Sequence, residues 1–310
     1  MMYDVIVIGG GPAALSATTF LQQKNVNTLM VYEELGGKAS WVHNRLSDGS
    51  MMRLPGHDIV ANLIQRITAP DSRVHHVYDR VINLRRDNNH FAVTCQREGE
   101  FQSLAVIVAT GTTPQKLELP GIQHLLGSGL GYSITTYAHQ VKNKQVAVVG
   151  ITPRTVRGIA EILHSASHIY IIAEDDVLPN VPLFHTIQQS PNVQLLLNTK
   201  VHEVIGISSV KRLVVERDGN LEQLNVDRIF VDLGLNPNTE FLRDLHITDK
   251  RGFMIVDEYN SGLSSGIFAA GDVSTGVMGE QILVAVGDGA RAALSAYEYM
   301  LVAKLTHAIH

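Results

Sequence analysis

Glycines and an acidic residue stand at fixed distances behind an apolar run near the start of the chain. Gly9, Gly11 and Ala14 follow the run Val5–Ile8, and Glu33 comes 24 residues after Gly9. The first glycine permits a tight turn, the second lets backbone approach a pyrophosphate, and a small third residue lets a helix pack on a strand. An acid at this distance can accept hydrogen bonds from ribose hydroxyls. The residues of the dinucleotide site predicted by this pattern are Gly9, Gly11, Pro12, Ala13, Ala14, Glu33 and Glu34.

A second copy of the pattern lies near residue 150, but its small residues are missing. Val146–Val149 runs into Gly150, whereas Thr152 and Thr155 occupy the other two positions. A threonine puts a Cβ and a hydroxyl where backbone must approach a phosphate. Three carboxylates at residues 174–176 would repel the 2′-phosphate of NADPH. We therefore expect no NADPH binding in the usual mode.

Two features of the second copy leave alternatives open. Glu174 lies 24 residues after Gly150 and would suit the unphosphorylated ribose of NAD. Arg154 and Arg157 stand one turn apart at the expected start of a helix. They could hold a ligand anion there, or they could be solvated helix charges.

The chain contains a single cysteine, Cys95. No intrachain disulfide can form, and this cysteine usage fits a reducing compartment, so we expect a cytoplasmic protein. Cys95 ends the alternating run 91–95 and is expected to be a buried apolar side chain rather than a reactive thiol. The 14 histidines show no spacing typical of metal ligands, and no metal site is predicted.

Charge and hydropathy argue against two classes of partner. The net charge is −5 and no basic block occurs, which disfavours nucleic acid and anionic membranes. The apolar C-terminal stretch 282–305 contains Asp288, Arg291 and Glu298. It therefore predicts an amphipathic helix rather than a membrane span.

Apolar runs that alternate with helical periodicity predict an α/β fold with two Rossmann-like nucleotide-binding domains. A strand, a turn and a helix are expected over residues 3–22, and the same pattern restarts at Gln145. Two other apolar runs end at a glycine, the first at Gly111 and the second at Gly271, which Asp272 follows. Ligands commonly meet the chain at such strand ends.

A chain of 310 residues is long enough for two domains. We expect a discontinuous first domain, residues 1–112 with 246–310, and an inserted domain over 113–245. A strand over 74–84 and a helix over 154–165 are among the elements expected in them.

These motifs resemble, in order and spacing, those of the low-molecular-weight thioredoxin reductases, over nearly the whole chain. The resemblance rests on Gly9–Ala14, Gly36-Gly37, Leu54–Gly56, Ala109–Gly111, Leu119–Gly121, Gly234 with Pro237–Thr239, and Gly266–Val273. It implies FAD in the first domain and a homodimer. It also implies that Asp272 binds the ribityl chain and that backbone near Val81 meets the adenine. The family's Gly-Gly-Gln is Gly36-Gly37-Lys38 here, which would place a cation close to the flavin. The further cofactor-binding residues it implies are Gly36, Gly37, Ala109, Thr110, Gly111, Gly271, Glu280, Gln281 and Ile282.

The chain departs from that family where the redox-active cysteines should stand. Ser133 and Thr136 occupy the two positions of the Cys-x-x-Cys motif. Unlike a thiol, a hydroxyl group does not ionise near neutral pH and forms no reversible disulfide. Electron transfer from a flavin to a disulfide at these positions is therefore excluded.

The expected function is that of an FAD-dependent oxidoreductase without a dithiol and without usual NADPH binding. It would use another electron partner, such as ferredoxin, or a second FAD or other nucleotide. Tyr132, Tyr137 and Trp41 are either core residues or stack on the flavin or on a second planar ligand. The residues of that second site would be Tyr132, Tyr137, Thr152, Arg154, Arg157 and Glu174.

Two alternative functions stay open. In the first, the protein is a flavin-binding sensor or interaction protein that keeps FAD as a structural ligand. In the second, which rests on Glu174, it is an NAD(H)-dependent ferredoxin or quinone reductase.

Overall fold

A computed structural model describes residues 2–40, 43–45, 51–52, 56–70, 72–120, 122–274 and 281–309. The chain forms two compact units. The first contains residues 1–42, 53–113 and 236–310, and the second contains 43–52 and 114–235. This division differs from the expected boundary at 245/246, because Phe241 and Leu242 pack in a core of the first unit.

The strands, in chain order, are β1 (Met2–Ile8), β2 (Thr28–Tyr32), β3 (His43–Arg45), β4 (Met51–Met52), β5 (His75–Tyr78), β6 (Val81–Asp87), β7 (His90–Cys95), β8 (Glu100–Val108), β9 (Thr112–Pro114), β10 (Leu130–Gly131), β11 (Gln145–Val149), β12 (His168–Ile172), β13 (Val193–Leu196), β14 (Thr199–Gly206), β15 (Val210–Arg217), β16 (Asn220–Asn225), β17 (Arg228–Val231), β18 (Leu235–Pro237) and β19 (Ile267–Ala269). The α-helices are α1 (Pro12–Gln23), α2 (His57–Ile67), α3 (Ile134–Tyr137), α4 (Pro153–Ile162), α5 (Pro182–Gln188) and α6 (Ile282–Ile309). Short 3-10 turns cover Gly37–Ser40, Ile122–Leu125, Ala138–Gln140, Glu240–Leu245 and Gly271–Val273.

A seven-stranded mixed sheet lies at the centre of the first unit. Its strands follow the order β5-β2-β1-β8-β7-β6, and β19 also pairs with β8. Pairing is parallel from β5 through β2, β1 and β8 to β19, and antiparallel among β8, β7 and β6. Successive residues of β1 point to opposite faces, and Val5–Ile8 is buried throughout because a core covers each face.

Helices α1 and α6 pack together in the core on one face of this sheet. The hydroxyl of Ser16 in α1 donates a hydrogen bond to the carbonyl of Val286 in α6 at 2.7 Å. The helices approach closely because small buried residues line the contact, namely Ala13, Ala14, Ala17, Ala292, Ala293 and Ala296. Among the described residues, no helix combines the length and the apolar character that crossing a membrane requires.

The second unit contains a five-stranded parallel sheet in the order β10-β17-β11-β12-β13. A three-stranded antiparallel sheet, β14-β15-β16, accompanies it, and its β15–β16 hairpin turns at Asp218-Gly219 as the sequence predicts. Each unit thus contains parallel strands from which a helix departs after a strand–glycine turn. The predicted fold class, α/β with two Rossmann-like domains, is confirmed.

Three elements differ from the sequence-based expectation. The strand expected over 74–84 is interrupted at Asp79, whose buried carboxylate accepts hydrogen bonds from the backbone amides of Arg80, Arg97 and Glu98. The strand is irregular there, because these amides donate to a side chain instead of to the backbone carbonyl of a neighbouring strand. Helix α4 ends at Ile162 rather than at 165, and α5 was not expected.

Candidate functional site

The turn between β1 and α1 places a glycine where packing demands one. Gly9 has a φ of 125°, and a Cβ there would lie 2.2 Å from the carbonyl oxygen of Ala109. Gly11 is different, because its φ of −77° suits any residue and a Cβ there would meet nothing within 4 Å. At Gly11, therefore, the missing side chain keeps a space open in front of α1, whereas at Gly9 it avoids a clash with Ala109.

The start of α1 offers backbone donors to an anion. Gly11 is the N-cap residue and makes no side-chain capping hydrogen bond, and Pro12 occupies the first helical position. The amides of Ala13 and Ala14 follow in the first turn, where N–H groups have no intrahelical partner. Such a helix start favours a phosphate or pyrophosphate through its N–H groups and its dipole.

The predicted ribose acids, Glu33 and Glu34, have protein partners. Arg80 Nε donates to Glu33 Oε2 at 3.0 Å, and both side chains are more than half exposed. Ser40 Oγ donates to Glu34 Oε1 at 3.1 Å. Both acidic side chains are exposed, and neither contact closes the space at Gly11, since a Cβ there would meet nothing within 4 Å.

The end of β8 is fixed by hydrogen bonds to a later segment. After the buried Ala109, Thr110 Oγ1 donates to the carbonyl of Asn238 at 2.7 Å, and Asn238 Nδ2 donates to the carbonyl of Thr110 at 2.9 Å. The amide of Asn238 also donates to the carbonyl of Gly111 at 3.0 Å. Three hydrogen bonds thus hold the chain where it leaves the sheet, at the edge formed by the carboxyl ends of the parallel strands.

A lysine–aspartate pair lies at the same edge. Lys38 Nζ donates to Asp272 Oδ2 at 2.7 Å and to Thr112 Oγ1 at 2.9 Å. Asp272 lies in the turn that Gly271 begins after β19. The side chains of Lys38 and Asp272 are 29% and 12% exposed, so most of this ion pair is shielded from water.

A second carboxyl group stands near this pair. Burial raises the pKa of Asp288 above its ordinary value, and the charge of Asp272 acts in the same direction. The charge of Arg291 and a hydrogen bond from the amide of Gly271 oppose that rise. Asp288 thus lies close to Asp272 and has Arg291 as its cationic neighbour, 4.0 Å away.

The other residues that the resemblance implied lie on several segments of the first unit. Val81 is buried at the start of β6, and Gln281 and Ile282 lie at the start of α6. Glu280 and Trp41 lie outside the described residues.

In the second unit, the start of α4 is filled by protein groups. Arg154 Nε donates to Asp232 Oδ2 at 2.9 Å, and Arg154 Nη2 donates to Asp232 Oδ1. Thr155 Oγ1 also donates to Asp232 Oδ2, at 2.9 Å. Thr152 caps the helix, because its Oγ1 accepts from the amide of Thr155 while Thr155 Oγ1 accepts from the amide of Thr152. The structure thus gives Arg154 an internal carboxylate where a ligand phosphate was expected.

Two other residues of the expected second site lie at the surface. Arg157 is exposed on α4, and Glu174 is exposed just after β12.

The two tyrosines of the expected second site lie on opposite faces of the five-stranded sheet. Tyr132 packs against the core that contains Ala147 and Val149, and Tyr137 packs against the core that contains Val146 and Val148. The ring of Tyr137 stacks on Phe230, with centroids 6.4 Å apart. Burial raises the pKa of both phenols. One planar ligand could not stack on both rings.

Ser133 and Thr136 contact each other at the start of α3. Thr136 Oγ1 donates to Ser133 Oγ at 2.8 Å, and the amide of Thr136 donates to the same oxygen at 3.3 Å. Ser133 is therefore a helix cap, which explains its place without any redox role. Cys95 is buried, as the sequence predicts, and burial raises the pKa of its thiol to about 11.

Sequence reasoning missed Asp232, Thr112 and Arg80 as parts of these sites. Asp232 had a signal, because an aspartate directly after the apolar strand β17 lies beside the end of β11 in a parallel sheet. No local sequence pattern marks Thr112 or Arg80, since their partners, Lys38 and Glu33, are distant in sequence.

Comparison with known proteins identifies the family. The sequence profile of the pyridine nucleotide-disulphide oxidoreductases matches residues 3–289. The chain belongs to this family. It is an oxidoreductase of the flavoprotein class with a thioredoxin reductase-like Rossmann fold.

Curated relatives include two bacterial proteins, each the F subunit of an alkyl hydroperoxide reductase. The protein of Staphylococcus aureus (strain MRSA252) is 31% identical over 303 residues, which are 96% of this chain and 59% of that protein. The protein of Staphylococcus epidermidis (strain RP62A) is 29% identical over 302 residues, with the same coverage. The chain thus spans about three fifths of the length of these relatives.

Solved structures agree on the fold. A thioredoxin reductase from Streptococcus pyogenes MGAS5005 matches with a TM-score of 0.82 and 23% identity, over 97% of this chain and 99% of that chain. A thioredoxin reductase from Giardia duodenalis matches with a TM-score of 0.82 and 20% identity, with the same coverage. At these identities the likeness concerns the fold alone.

Proposed function

We propose that the first unit binds one FAD and that the second unit does not bind NADPH in the usual mode. The observation that carries this proposal is the contrast between the two helix starts. At α1 no side chain caps the helix and the space beside Gly11 is open. At α4 the same position holds Thr152, Thr155 and the carboxylate of Asp232.

The residues present at the first site fit FAD. Its pyrophosphate would meet the N–H groups at the start of α1, and Glu33 would meet the adenosine ribose. Asp272 and Lys38 would lie on the side of the flavin, because Asp272 follows β19 and Lys38 contacts it. When bound, FAD would supply the capacity to accept and donate electrons, while these residues bind and orient it.

The second unit is poorly suited to a nucleotide phosphate at α4. A phosphate there would have to displace a carboxylate that already receives donors from Arg154 and Thr155. The exposed acids at 174–176 add repulsion toward a 2′-phosphate. NAD lacks that phosphate, but it meets the same obstacle at Asp232.

Without a dithiol, electrons must leave the flavin directly for an acceptor. We therefore propose an electron-transfer protein of the ferredoxin type as partner, since such a carrier needs neither a disulfide nor a nucleotide site. The observation in favour is that the hydroxyl groups of Ser133 and Thr136, which stand at the dithiol positions, form a hydrogen bond with each other.

A second FAD or another nucleotide is the alternative ligand for the second unit. It would have to bind away from Asp232. A groove of about 510 Å³ lies beside Tyr132, and none of the described residues that line it belongs to α4. A ligand there would stack on Tyr132 without sharing contacts with Arg154.

We further propose that the protein is a homodimer that pairs α6 with its copy. The helix exposes an apolar stripe on the side that does not face α1, formed by Leu283, Val284, Leu294, Leu301, Val302 and Leu305. An antiparallel pairing centred near Leu294 would put Arg291 opposite Glu298 of the partner subunit. Such self-complementary charge is what a two-fold interface requires.

The spectrum of the purified protein tests the central proposal. A flavin spectrum with about one FAD per chain is expected, and a protein that takes up no FAD would contradict it. Reduction of the flavin is then followed without oxygen, with NADPH and with chemically reduced ferredoxin as donors. Rapid reduction by NADPH would refute the proposal for the second unit, and reduction by neither donor would favour a sensor that keeps FAD as a structural ligand.

A further inference from the structure

Three segments of the first unit bring a cation and a carboxylate to one edge of its parallel sheet. Lys38 lies in the turn Gly37–Ser40, Asp272 lies in the turn after β19, and Thr112 begins β9. β19 runs parallel to β8, with Ala269 opposite Val108, so both strands leave the sheet at the same edge. The ammonium group of Lys38 bridges the two segments, at 2.7 Å from Asp272 and 2.9 Å from Thr112.

The same edge carries the start of α1. β1 runs parallel to β8, with Ile8 opposite Val108, so α1 begins beside these turns. The backbone of Gly37 lies close to Gly11, since a Cβ on Gly37 would lie 3.0 Å from the Cα of Gly11. Lys38 follows directly. In open α/β sheets ligands bind at this edge, outside the carboxyl ends of the strands.

The charge balance of this edge depends on the lysine. Asp272 is largely shielded from water. Asp288, which accepts a hydrogen bond from the amide of Gly271, stands nearby and has its own cation, Arg291, at 4.0 Å. The ammonium group of Lys38 pairs directly with Asp272, so its removal would expose the rest of the edge to an uncompensated carboxylate. Charges shielded in this way interact more strongly than charges in water and are screened less by salt.

We propose that Lys38 raises the reduction potential of the bound FAD by compensating the charge of Asp272. This inference rests on the proposed FAD site and adds a positioning role for one side chain in it. Two-electron reduction of a flavin with uptake of one proton leaves one additional negative charge on the ring. An ammonium group at this edge stabilises that charge, and an unpaired carboxylate destabilises it.

The test is the midpoint potential of the flavin in purified variants, measured by spectrophotometric titration against dyes of known potential. Lys38→Gln should shift the equilibrium toward oxidised flavin at least tenfold, which is about 30 mV for a two-electron couple. Lys38→Arg should keep the potential close to that of the original protein, because it keeps the charge. Asp272→Asn should shift the potential upward, in the opposite direction to Lys38→Gln.

A matched control is Lys304→Gln, which removes another lysine of a close lysine–aspartate pair, with Nζ 2.6 Å from Asp4. It should leave the potential unchanged. If Lys38→Gln is the only variant that loses FAD, the midpoint potentials of Lys38→Arg and Asp272→Asn decide the test. An unchanged potential in FAD-loaded Lys38→Gln, or a downward shift in Asp272→Asn, would overturn the inference. Failure of the original protein to bind FAD would instead overturn the proposed function.

Discussion

Arg154 and Asp232 form a two-point ion pair at the start of helix α4, with Arg154 Nε 2.9 Å from Asp232 Oδ2 and Arg154 Nη2 bonded to Asp232 Oδ1. Asp232 is buried and Arg154 is mostly shielded. An internal carboxylate therefore occupies the place where a Rossmann-like unit usually receives a ligand phosphate.

This pair should stabilise the second unit measurably. Asp232→Ala leaves a shielded guanidinium without its main acceptor, and we expect the free energy of unfolding to fall by about 2 kcal/mol. The double variant Arg154→Ala with Asp232→Ala should cost less than the sum of the single variants. Urea denaturation measures both, with Arg157→Ala as the exposed control on the same helix. Strict additivity would show that the pair contributes nothing as a unit.

Gly9 and Gly11, in the turn between β1 and α1, should respond differently to substitution. Gly11→Val should abolish FAD binding and unfold at nearly the same temperature as the FAD-free original protein, because its Cβ meets nothing in the protein. Gly9→Ala should destabilise the protein by about 2–3 kcal/mol, because its Cβ overlaps the carbonyl of Ala109. Flavin absorbance and thermal unfolding distinguish the two. Retention of FAD by Gly11→Val would place the cofactor elsewhere.

Restoring the two cysteines should give a disulfide without restoring thioredoxin reduction. The hydroxyl oxygens of Ser133 and Thr136 are 2.8 Å apart, so Ser133→Cys with Thr136→Cys should form a disulfide with little movement. NADPH-driven reduction of thioredoxin should remain absent, because Asp232 still fills the start of α4. Thiol titration and a coupled thioredoxin assay measure the two outcomes. Turnover with NADPH would show that the filled helix start does not exclude the nucleotide.

Stability at low pH should depend on Asp79. Burial alone would raise the pKa of this carboxyl, but hydrogen bonds from the amides of Arg97, Glu98 and Arg80 and from the Arg97 side chain lower it to about 2, from an ordinary value of about 3.8. A lowered pKa means that the stabilisation is present above the ordinary value and is lost as the pH falls through about 2. Thermal unfolding between about pH 5 and about pH 2 should therefore show a smaller decline for Asp79→Asn, from a lower starting stability. Parallel curves would contradict this.

The apolar stripe of α6 should hold the dimer. Leu294→Glu and Leu301→Glu should convert a dimer to a monomer, because a charge in each copy meets its counterpart or an apolar surface across the two-fold axis. Light scattering after gel filtration gives the mass. Ile207→Glu is the matched control, since Ile207 is 92% exposed but lies in the second unit. A dimer that tolerates both α6 substitutions would place the interface elsewhere.

The first unit was largely predictable, because its elements are encoded by local patterns. The run Val5–Ile8, the turn at Gly9 and the proline at the first position of α1 lie within a few residues of one another, and the structure forms them as expected. The break at Asp79 was not predictable, because its partners Arg97 and Glu98 lie on a turn between two later strands.

The sequence by itself determined the α/β class, the family, the missing dithiol and the loss of small residues at 152 and 155. Each of these depends on residue type and on spacing along one stretch of chain. The tertiary structure decided what replaced the lost glycines. Asp232 meets Arg154, and Lys38 meets Asp272, only because parallel strands distant in sequence end at the same edge of a sheet. Pairing of that kind depends on strand order and register, which local patterns do not specify.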